Sequence, residues 1–294
     1  MTLYTSAESN IRKTWLYLTL FLVFIIGIGW LISYYASSPV ILWIAVLYSV
    51  SVSFLSYWYS DKIVLGLVRA KPIEKKDNPE LYRIVENLCI TAGLPLPKVY
   101  IMAEGQPNAF ATGRDPKHGV VIVTRGLLER LEKVELEGVI AHELSHIGNR
   151  DALLQTAVVV LVGVIVTMVD IFLRVRWFGG GSRNDKGNPI IALIGLVVII
   201  LAPFAAQLIK LAISRKREFL ADATGALLTR YPDGLARALE KISDIDTPMR
   251  IANDSTAHLF IVSPFRGKIN WLHRLFLTHP PVEERIRALR RMAV

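Results

Sequence analysis

Two histidines and a glutamate near the middle of the chain have the spacing of a metal-binding enzyme centre. In His142-Glu143-Leu-Ser-His146 the histidines are four residues apart. On an α-helix that spacing places them about 40° apart around the axis and one turn apart along it. Both imidazoles can therefore reach one metal ion, and neutral imidazole nitrogen suits zinc. Glu143 is then placed to accept a proton from water that the metal activates.

The helix that carries this motif is predicted to be buried. Residues 135–147 have helical spacing, with small or apolar side chains at Gly138, Val139, Ala141 and Leu144. A buried histidine pair without a metal must find other polar partners, because unpaired polar groups are costly to bury. A pair of core histidines with such partners is the alternative to a metal site.

A third ligand is expected on a separate helix, because a catalytic zinc usually has three protein ligands and an open fourth position. Residues 214–225 contain Glu218 and Asp222, again four residues apart. We assign Glu218 to the metal and Asp222 to a hydrogen bond with the outer nitrogen of a ligand histidine, which fixes the orientation of the ring. The alternative is a solvated carboxylate pair beside Arg215 and Arg217.

Helices and a small sheet must position these residues. Helical spacing of apolar residues predicts helices at 79–93, 125–131, 133–149, 216–229, 234–243 and 281–292. Two short β-branched segments, 98–102 and 119–124, have turn residues between them and predict a small antiparallel sheet. The Arg-rich segment 283–291 is predicted to be a solvated helix face with some mutual charge pairing.

Long apolar runs make this a membrane protein. No charged residue lies between Lys13 and Asp61, and only Ser37-Ser38-Pro39 divides the stretch, which is long enough for two spanning helices. Two further runs, 152–173 and 189–213, are joined by the Gly-rich segment 178–189.

The first of the later runs has the weaker case for spanning. It contains Gln155 and Asp170, whereas residues 189–209 are uncharged. Buried core helices are therefore the alternative for this pair. We predict a mainly α-helical membrane protein with transmembrane helices and a small sheet.

The net charge of +9 indicates membrane anchoring rather than nucleic-acid binding, because basic residues flank the apolar runs. They include Arg12, Lys13, Lys62, Arg69, Lys71, Lys210, Arg215, Lys216 and Arg217. All of these lie on the side of the predicted metal centre, which predicts a cytoplasmic active site. The single cysteine, Cys89, cannot form an internal disulfide and fits a reducing compartment.

Taken together, these motifs resemble the membrane-bound zinc peptidases of the HtpX type, in the M48 group of gluzincins. The resemblance covers essentially the whole chain: the N-terminal hairpin, the His142 to His146 helix running into Asn149-Arg-Asp151, the second hydrophobic pair, Arg217 to Asp222, and Thr278-His-Pro-Pro281. It implies a gluzincin-like protease domain with one Zn²⁺ per chain. The protease domain would comprise residues 61–151 and 214–294, with membrane segments at 1–60 and 152–213.

Two more positions gain a role from the resemblance. Residues 107–113 resemble the family's edge strand, along which an extended peptide can pair, with Asn108 contacting the substrate backbone. His279 resembles a late histidine that stabilises the oxyanion. From the sequence alone, Asn108 would be a turn residue, and the alternative for His279 is a structural histidine in a Pro-rich turn.

The resemblance implies a zinc-dependent endopeptidase in the cell membrane that cleaves misfolded or damaged membrane proteins from the cytoplasmic side. Its expected partners are the bilayer and membrane-protein or peptide substrates, without nucleic acid. One alternative is an endopeptidase of prenylated CAAX peptides. Another is a non-catalytic membrane adaptor in which zinc only stabilises the fold.

Overall fold

The computed structural model of the chain describes residues 3–178, 208, 215–245, 247–251, 255–265 and 280–292. The described helices are α1 (Leu3–Tyr35), α2 (Pro39–Trp58), α3 (Ser60–Leu67), α4 (Pro79–Ala92), α5 (Arg125–Arg130), α6 (Lys133–Gly148), α7 (Asp151–Phe178), α8 (Arg215–Thr229), α9 (Pro232–Ser243) and α10 (Val282–Met292). The strands are β1 (Lys71–Pro72), β2 (Lys98–Met102), β3 (Ala109–Thr112) and β4 (Val120–Thr124). The predicted linker 178–189 and the run 189–213 lie outside the described residues, apart from Phe178 and Leu208.

The first two helices form the predicted hairpin. Ala7–Tyr35 and Pro39–Trp58 are each long and apolar enough to cross a membrane. The turn between them contains Ser37 with φ 50°, and Pro39 opens α2, where its fixed φ suits a helix start. Gly29 lies so close to Ala45 that an added Cβ would be 2.2 Å from the Ala45 Cβ. The two helices therefore cross at a small-residue contact, as membrane helices often do.

Helix α7 is a third candidate span, but it is largely enclosed by protein. Asp151–Asp170 is apolar enough to cross a membrane, yet 67% of its apolar window is buried, against 28% for α1 and 17% for α2. It packs on α1 and α2 through an apolar cluster that includes Leu18, Phe21, Val52, Leu154, Val158 and Leu161. The helix that follows the histidine motif is thus held by the hairpin.

The sheet is mixed, which corrects the antiparallel arrangement expected for 98–102 and 119–124. The strand order is β1-β2-β4-β3, and β2 runs parallel to β4, whereas β3 is antiparallel to β4. The chain changes direction between β2 and β3, and again between β3 and β4. Strand β3 therefore lies antiparallel to β4 at the edge of the sheet, and β4 runs in the same direction as β2. All five residues of β4 are buried, as is usual for a strand covered on both faces.

The predicted helix for the histidine motif is observed as α6. Glu132 and Glu135 form a capping box at its first turn, which satisfies backbone N–H groups that the helix leaves free. The helix is buried on nearly every side, against α4, α8, α9 and the sheet. Its position is therefore fixed by packing from several directions.

Candidate metal centre

Three side chains from α6 and α8 meet in the protein interior. The Nε2 atoms of His142 and His146 are 3.1 Å apart. Glu218 oxygens lie 3.9 Å from the first of these nitrogens and 3.7 Å from the second. Tetrahedral metal bonds of about 2.0–2.2 Å would separate the ligand atoms by roughly 3.3–3.6 Å. The three residues therefore form a possible metal site whose spacing fits a divalent ion.

Each histidine is held through its outer nitrogen by a carboxylate. His142 Nδ1 lies 2.9 Å from Asp222 Oδ1, which is the contact expected from the sequence. His146 Nδ1 lies 3.2 Å from Asp151 Oδ2, at the start of α7. These contacts turn both Nε2 atoms toward Glu218, and such partners fix tautomer and ring orientation at metal sites.

A buried arginine, Arg285, completes the charge balance around these carboxylates. Its Nε and Nη2 atoms donate to the two oxygens of Asp222 at 2.9 and 2.7 Å. Its Nη1 atom donates to the Ile261 carbonyl at 2.8 Å and lies 3.7 Å from Glu218 Oε2. The segment predicted to be a solvated face therefore contributes a fully buried cation to the site.

Burial and charge set the protonation of the histidines in opposite ways. Burial lowers the pKa of His142 to about 4, although the hydrogen bond with Asp222 acts against this. Burial also acts to lower the pKa of His146, but the hydrogen bond with Asp151 and the charge of Glu218 outweigh it and raise that pKa to about 9. His142 is therefore neutral and ready to coordinate, whereas His146 must lose a proton to do so.

The glutamate between the histidines is a suitable general base. Burial raises the pKa of Glu143 to about 7; the Glu218 charge adds to this, while the charges of His146 and Arg285 oppose it. A hydrogen bond from the backbone of Ala111 in β3 also acts to lower the pKa of this carboxylate. A base with a pKa near neutrality can both accept and return a proton at working pH.

Close approach of α8 to α6 depends on Gly225. A Cβ at this position would lie 3.0 Å from the backbone nitrogen of His142. Glu218, Asp222 and Gly225 are spaced by four and three residues, so they lie on one face of α8. The face of α8 that carries the two carboxylates therefore also carries the glycine that allows α8 to pack closely against α6.

The edge of the sheet next to the site holds an extended segment of the chain itself. The Ile261 N–H donates to the Ala109 carbonyl of β3 at 3.0 Å. The Asn108 amide donates to the Val262 carbonyl at 2.9 Å, and its oxygen lies 3.4 Å from the Val262 nitrogen. Asn108 is fully buried by these contacts. The edge strand expected from the family resemblance is therefore present as β3, with residues 261 and 262 along its outer side.

The remaining predicted site residue, His279, lies outside the described residues. Two described residues that sequence reasoning missed are Arg285 and Asp151. Arg285 interrupts the apolar stripe of Val282, Ile286 and Leu289, and a charge on such a stripe signals a buried partner. Asp151 is five residues after His146 and is the first residue of the next helix. The three- or four-residue spacing that places side chains on one helix face therefore could not link it to the motif.

The chain matches the sequence profile of peptidase family M48 over residues 75–293. A "Protease HtpX homolog" of Caldanaerobacter subterraneus subsp. tengcongensis is 47% identical over 300 residues, covering 100% of this chain and 99% of the relative. Another, from Pyrococcus furiosus, is 49% identical over 272 residues, covering 92% of this chain and 91% of the relative.

A solved structure has a similar fold. The crystal structure of S. mikatae Ste24p superposes with a TM-score of 0.51 at 22% sequence identity. The match covers 95% of this chain and 67% of that one. At this identity the likeness concerns the fold alone.

Proposed function

The chain belongs to peptidase family M48 as an HtpX-type membrane metalloprotease, and we propose that it cleaves misfolded or damaged membrane proteins from the cytoplasmic side. The observation that carries the proposal is the buried convergence of His142, His146 and Glu218 beside Glu143. Helix α7, which follows directly from the motif helix, is apolar enough to span a membrane. An active site that is connected directly to such a helix would lie close to substrate proteins in the bilayer.

The proposed cofactor is one Zn²⁺ per chain, held by His142, His146 and Glu218. Two imidazoles and one carboxylate are a ligand set that catalytic zinc uses. When bound, zinc supplies Lewis acidity that activates water and polarises a peptide carbonyl. The ligand set closes three positions and leaves room for the reacting groups.

Glu143 moves the proton in this proposal. Its carboxylate takes a proton from the attacking water and passes it to the leaving amine, so that no covalent intermediate is needed. The pKa of about 7 in the buried site makes both transfers feasible at neutral pH. His279, from the Pro-rich segment, is proposed to stabilise the oxyanion.

The substrate backbone is proposed to pair with β3 in place of residues 261 and 262. The Ile261 N–H donates to the Ala109 carbonyl, which is the kind of main-chain bond that strand addition uses, and the Asn108 side-chain amide donates to the Val262 carbonyl. The Arg285 guanidinium binds the Ile261 carbonyl, and it would meet a substrate carbonyl at the same point. Asn108 is therefore proposed to bind substrate backbone.

Sidedness follows from charge and from the shared metal. Because one ion cannot be bound from both sides of a bilayer, the chain must cross an even number of times between His146 and Glu218. In this proposal the basic residues near the start of α1 and around α3 lie on the side of the metal centre, and positive charge favours the cytoplasm. We therefore propose a multi-pass protein of the cell membrane with its active site in the cytoplasm.

Sidedness can be tested by labelling two single-cysteine variants in intact cells with a membrane-impermeant maleimide. Ser37 lies in the α1 to α2 turn, and Glu129 is exposed on the protease side. In a background in which Cys89 is replaced by alanine, Ser37→Cys should be labelled and Glu129→Cys should be labelled only after lysis. The reverse pattern would overturn the cytoplasmic placement.

Substrate class can be tested in proteoliposomes that hold the purified protein with either of two substrates. One is a destabilised single-span reporter protein, and the other is a farnesylated peptide that ends in a CAAX sequence. We expect cleavage of the reporter and little turnover of the prenylated peptide. Preferential cleavage of the prenylated peptide would support the alternative endopeptidase, and cleavage of neither would leave the adaptor as the better account.

A further inference from the structure

The first membrane helix buries a polar residue at the end of its apolar stripe. The buried positions of α1 recur at helical spacing: Asn10, Thr14, Tyr17, Leu18, Phe21 and Ile25. The apolar members pack on α7 and α2. Asn10 is 2% exposed, and such a residue in a buried stripe needs hydrogen-bond partners.

Those partners come from three segments of the metal centre. The Asn10 Nδ2 atom donates to the Asn149 carbonyl at 2.9 Å and to Asp151 Oδ1 at 2.6 Å. Its Oδ1 atom accepts from Arg217 Nη1 at 3.0 Å. Asn149 follows the helix of the two histidines, Asp151 opens α7, and Arg217 directly precedes Glu218. One side chain of α1 thus contacts the segments that carry all three proposed ligands.

Asp151 transmits this contact to a ligand. Its Oδ2 atom lies 3.2 Å from His146 Nδ1, and its other oxygen is bound by Asn10. The Arg217 Nε atom lies 3.5 Å from that same oxygen. Asp151 is fully buried, so the orientation of its carboxylate depends on these partners.

We propose that Asn10 is a positioning residue of the metal centre, which makes the first membrane helix part of the site. The amide holds the Asp151 carboxylate in the plane that orients the His146 ring. This inference rests on the zinc assignment of the proposed function. It extends the site from the protease domain into the membrane hairpin.

The chemistry of the amide explains why asparagine suits this position. Its nitrogen has two hydrogens for two acceptors, and its oxygen accepts from a cation. An aspartate has the same shape but lacks both donors when ionised, and it would set a second negative charge against Asp151. Exchange of asparagine for aspartate therefore separates hydrogen bonding from packing.

The test uses the full-length protein in detergent, loaded with zinc, and follows metal loss to a chromogenic chelator. In Asn10→Asp and Asn10→Ala we expect zinc to leave about tenfold faster, the low end of the effect of removing a direct partner of a ligand, because Asn10 acts on His146 through Asp151. The visible spectrum of the Co²⁺-substituted protein should shift in both variants. Neither readout needs proteolysis.

The matched control is Thr14→Ala, one turn further along the same buried stripe. The Thr14 hydroxyl donates to the Asn10 carbonyl within its own helix, so its removal should leave zinc loss and the cobalt spectrum unchanged. In an Asp151→Asn background, substitution of Asn10 should add little, because its effect passes through Asp151. The Asp151→Asn variant alone should also lose zinc faster than wild type, which keeps the proposal testable if an Asn10 variant folds poorly.

Zinc loss and a cobalt spectrum equal to wild type in Asn10→Asp would overturn the proposal. The proposal would also be overturned if Asn10 substitution accelerated zinc loss as much in the Asp151→Asn background as in wild type. A wild-type protein that binds no zinc at all would instead overturn the proposed function, so the two failures are distinguishable.

Discussion

At the scale of single residues, the site depends on charges that are buried together. Arg285 and Asp222 form a bidentate ion pair in which both side chains are buried. Desolvation makes such a pair a poor source of net stability, but removal of one partner leaves an uncompensated charge. The pair is therefore better understood as holding Asp222, and through it His142, in position.

Replacement of Arg285 should be strongly destabilising. We expect Arg285→Met to lower the free energy of unfolding by about 3–5 kcal/mol, because Asp222 would remain buried without its cation. Chemical unfolding in detergent measures this. Arg287→Met is the matched control, since Arg287 is exposed on the same helix and its loss should change stability by less than about 0.5 kcal/mol. Equal effects at the two positions would contradict the role assigned to Arg285.

Metal binding should release a proton near pH 8. In the metal-free protein the pKa of His146 is about 9, so its ring is mostly protonated at pH 8 and must lose that proton to coordinate. The pKa of His142 is about 4, so that ring contributes none. Zinc affinity should consequently rise with pH up to about 9 and level off above it.

Calorimetric titration in buffers of different ionisation enthalpy measures this release. Glu143→Gln is the control variant, because it removes the neighbouring carboxyl group, whose pKa is about 7. It should still release about one proton per zinc at pH 8. A binding reaction without proton release would show that His146 is already neutral.

Much of the site at this scale could be predicted from spacing. His142, His146, Glu218 and Asp222 lie on two helices, so four-residue periodicity predicted which of them share a face. Arg285, Asp151 and Asn10 could not be predicted in this way, because their partners are 5 to 207 residues away in the chain. Contacts of that kind depend on how helices pack, which local periodicity does not determine.

At the scale of elements, the candidate metal centre forms because two helices approach closely. Gly225 removes the side chain that would meet the His142 backbone, and the carboxylates on the same face of α8 then reach the histidines. The prediction of helices at 133–149 and 216–229 was sound. Their distance could not be predicted, since nothing in the sequence distinguished this glycine from others.

An added methyl group at Gly225 should separate the helices. We expect Gly225→Ala to destabilise the fold by about 1–3 kcal/mol, as overpacking does, and to weaken zinc binding because Glu218 moves with α8. Zinc affinity and thermal unfolding of the same sample measure both effects. Gly66→Ala is the control, since the helical position of Gly66 has no neighbour within 4 Å of an added Cβ. Unchanged zinc affinity in Gly225→Ala would contradict this account of the packing.

The edge of β3 predicts that a bound peptide displaces residues 261 and 262. If substrate replaces residues 261 and 262, the Ile261 amide must lose its bond to Ala109. Hydrogen exchange of residues 257–265 should therefore become faster when a non-cleavable peptide inhibitor binds to Glu143→Gln protein, while β2, which is paired on both sides, should not change. Slower exchange in 257–265 would mean that peptide binds elsewhere.

The sheet shows the limit of local patterns at this scale. The two β-branched segments were identified correctly, but their relative direction was wrong because β3 supplies the reversal between them. Ala109 to Thr112 is short, and its pattern alone does not indicate a strand. The family resemblance, rather than periodicity, pointed to this edge.

At the scale of the whole molecule, membrane and protease parts are joined by packing as well as by sequence. The apolar stripe of α1 lies on α7, and only two residues separate the end of the histidine helix α6 from the start of α7. The abrupt change from a polar motif to an apolar run thus marks the junction between the candidate metal centre and a candidate membrane helix. The length and hydropathy of the runs predicted the three helices of the described residues that are apolar enough to cross a membrane, whereas the burial of α7 depended on contacts with α1.

The central claim is that this membrane protein is a zinc peptidase with Glu143 as its base. The most direct test measures zinc content and cleavage of a membrane-protein reporter by wild type and Glu143→Gln. Both proteins should hold about one zinc per chain, and the variant should lose at least the 10²–10⁴-fold that a general base contributes. A variant that retains zinc and near-wild-type turnover, or a wild type that cleaves equally well after zinc removal, would contradict the account.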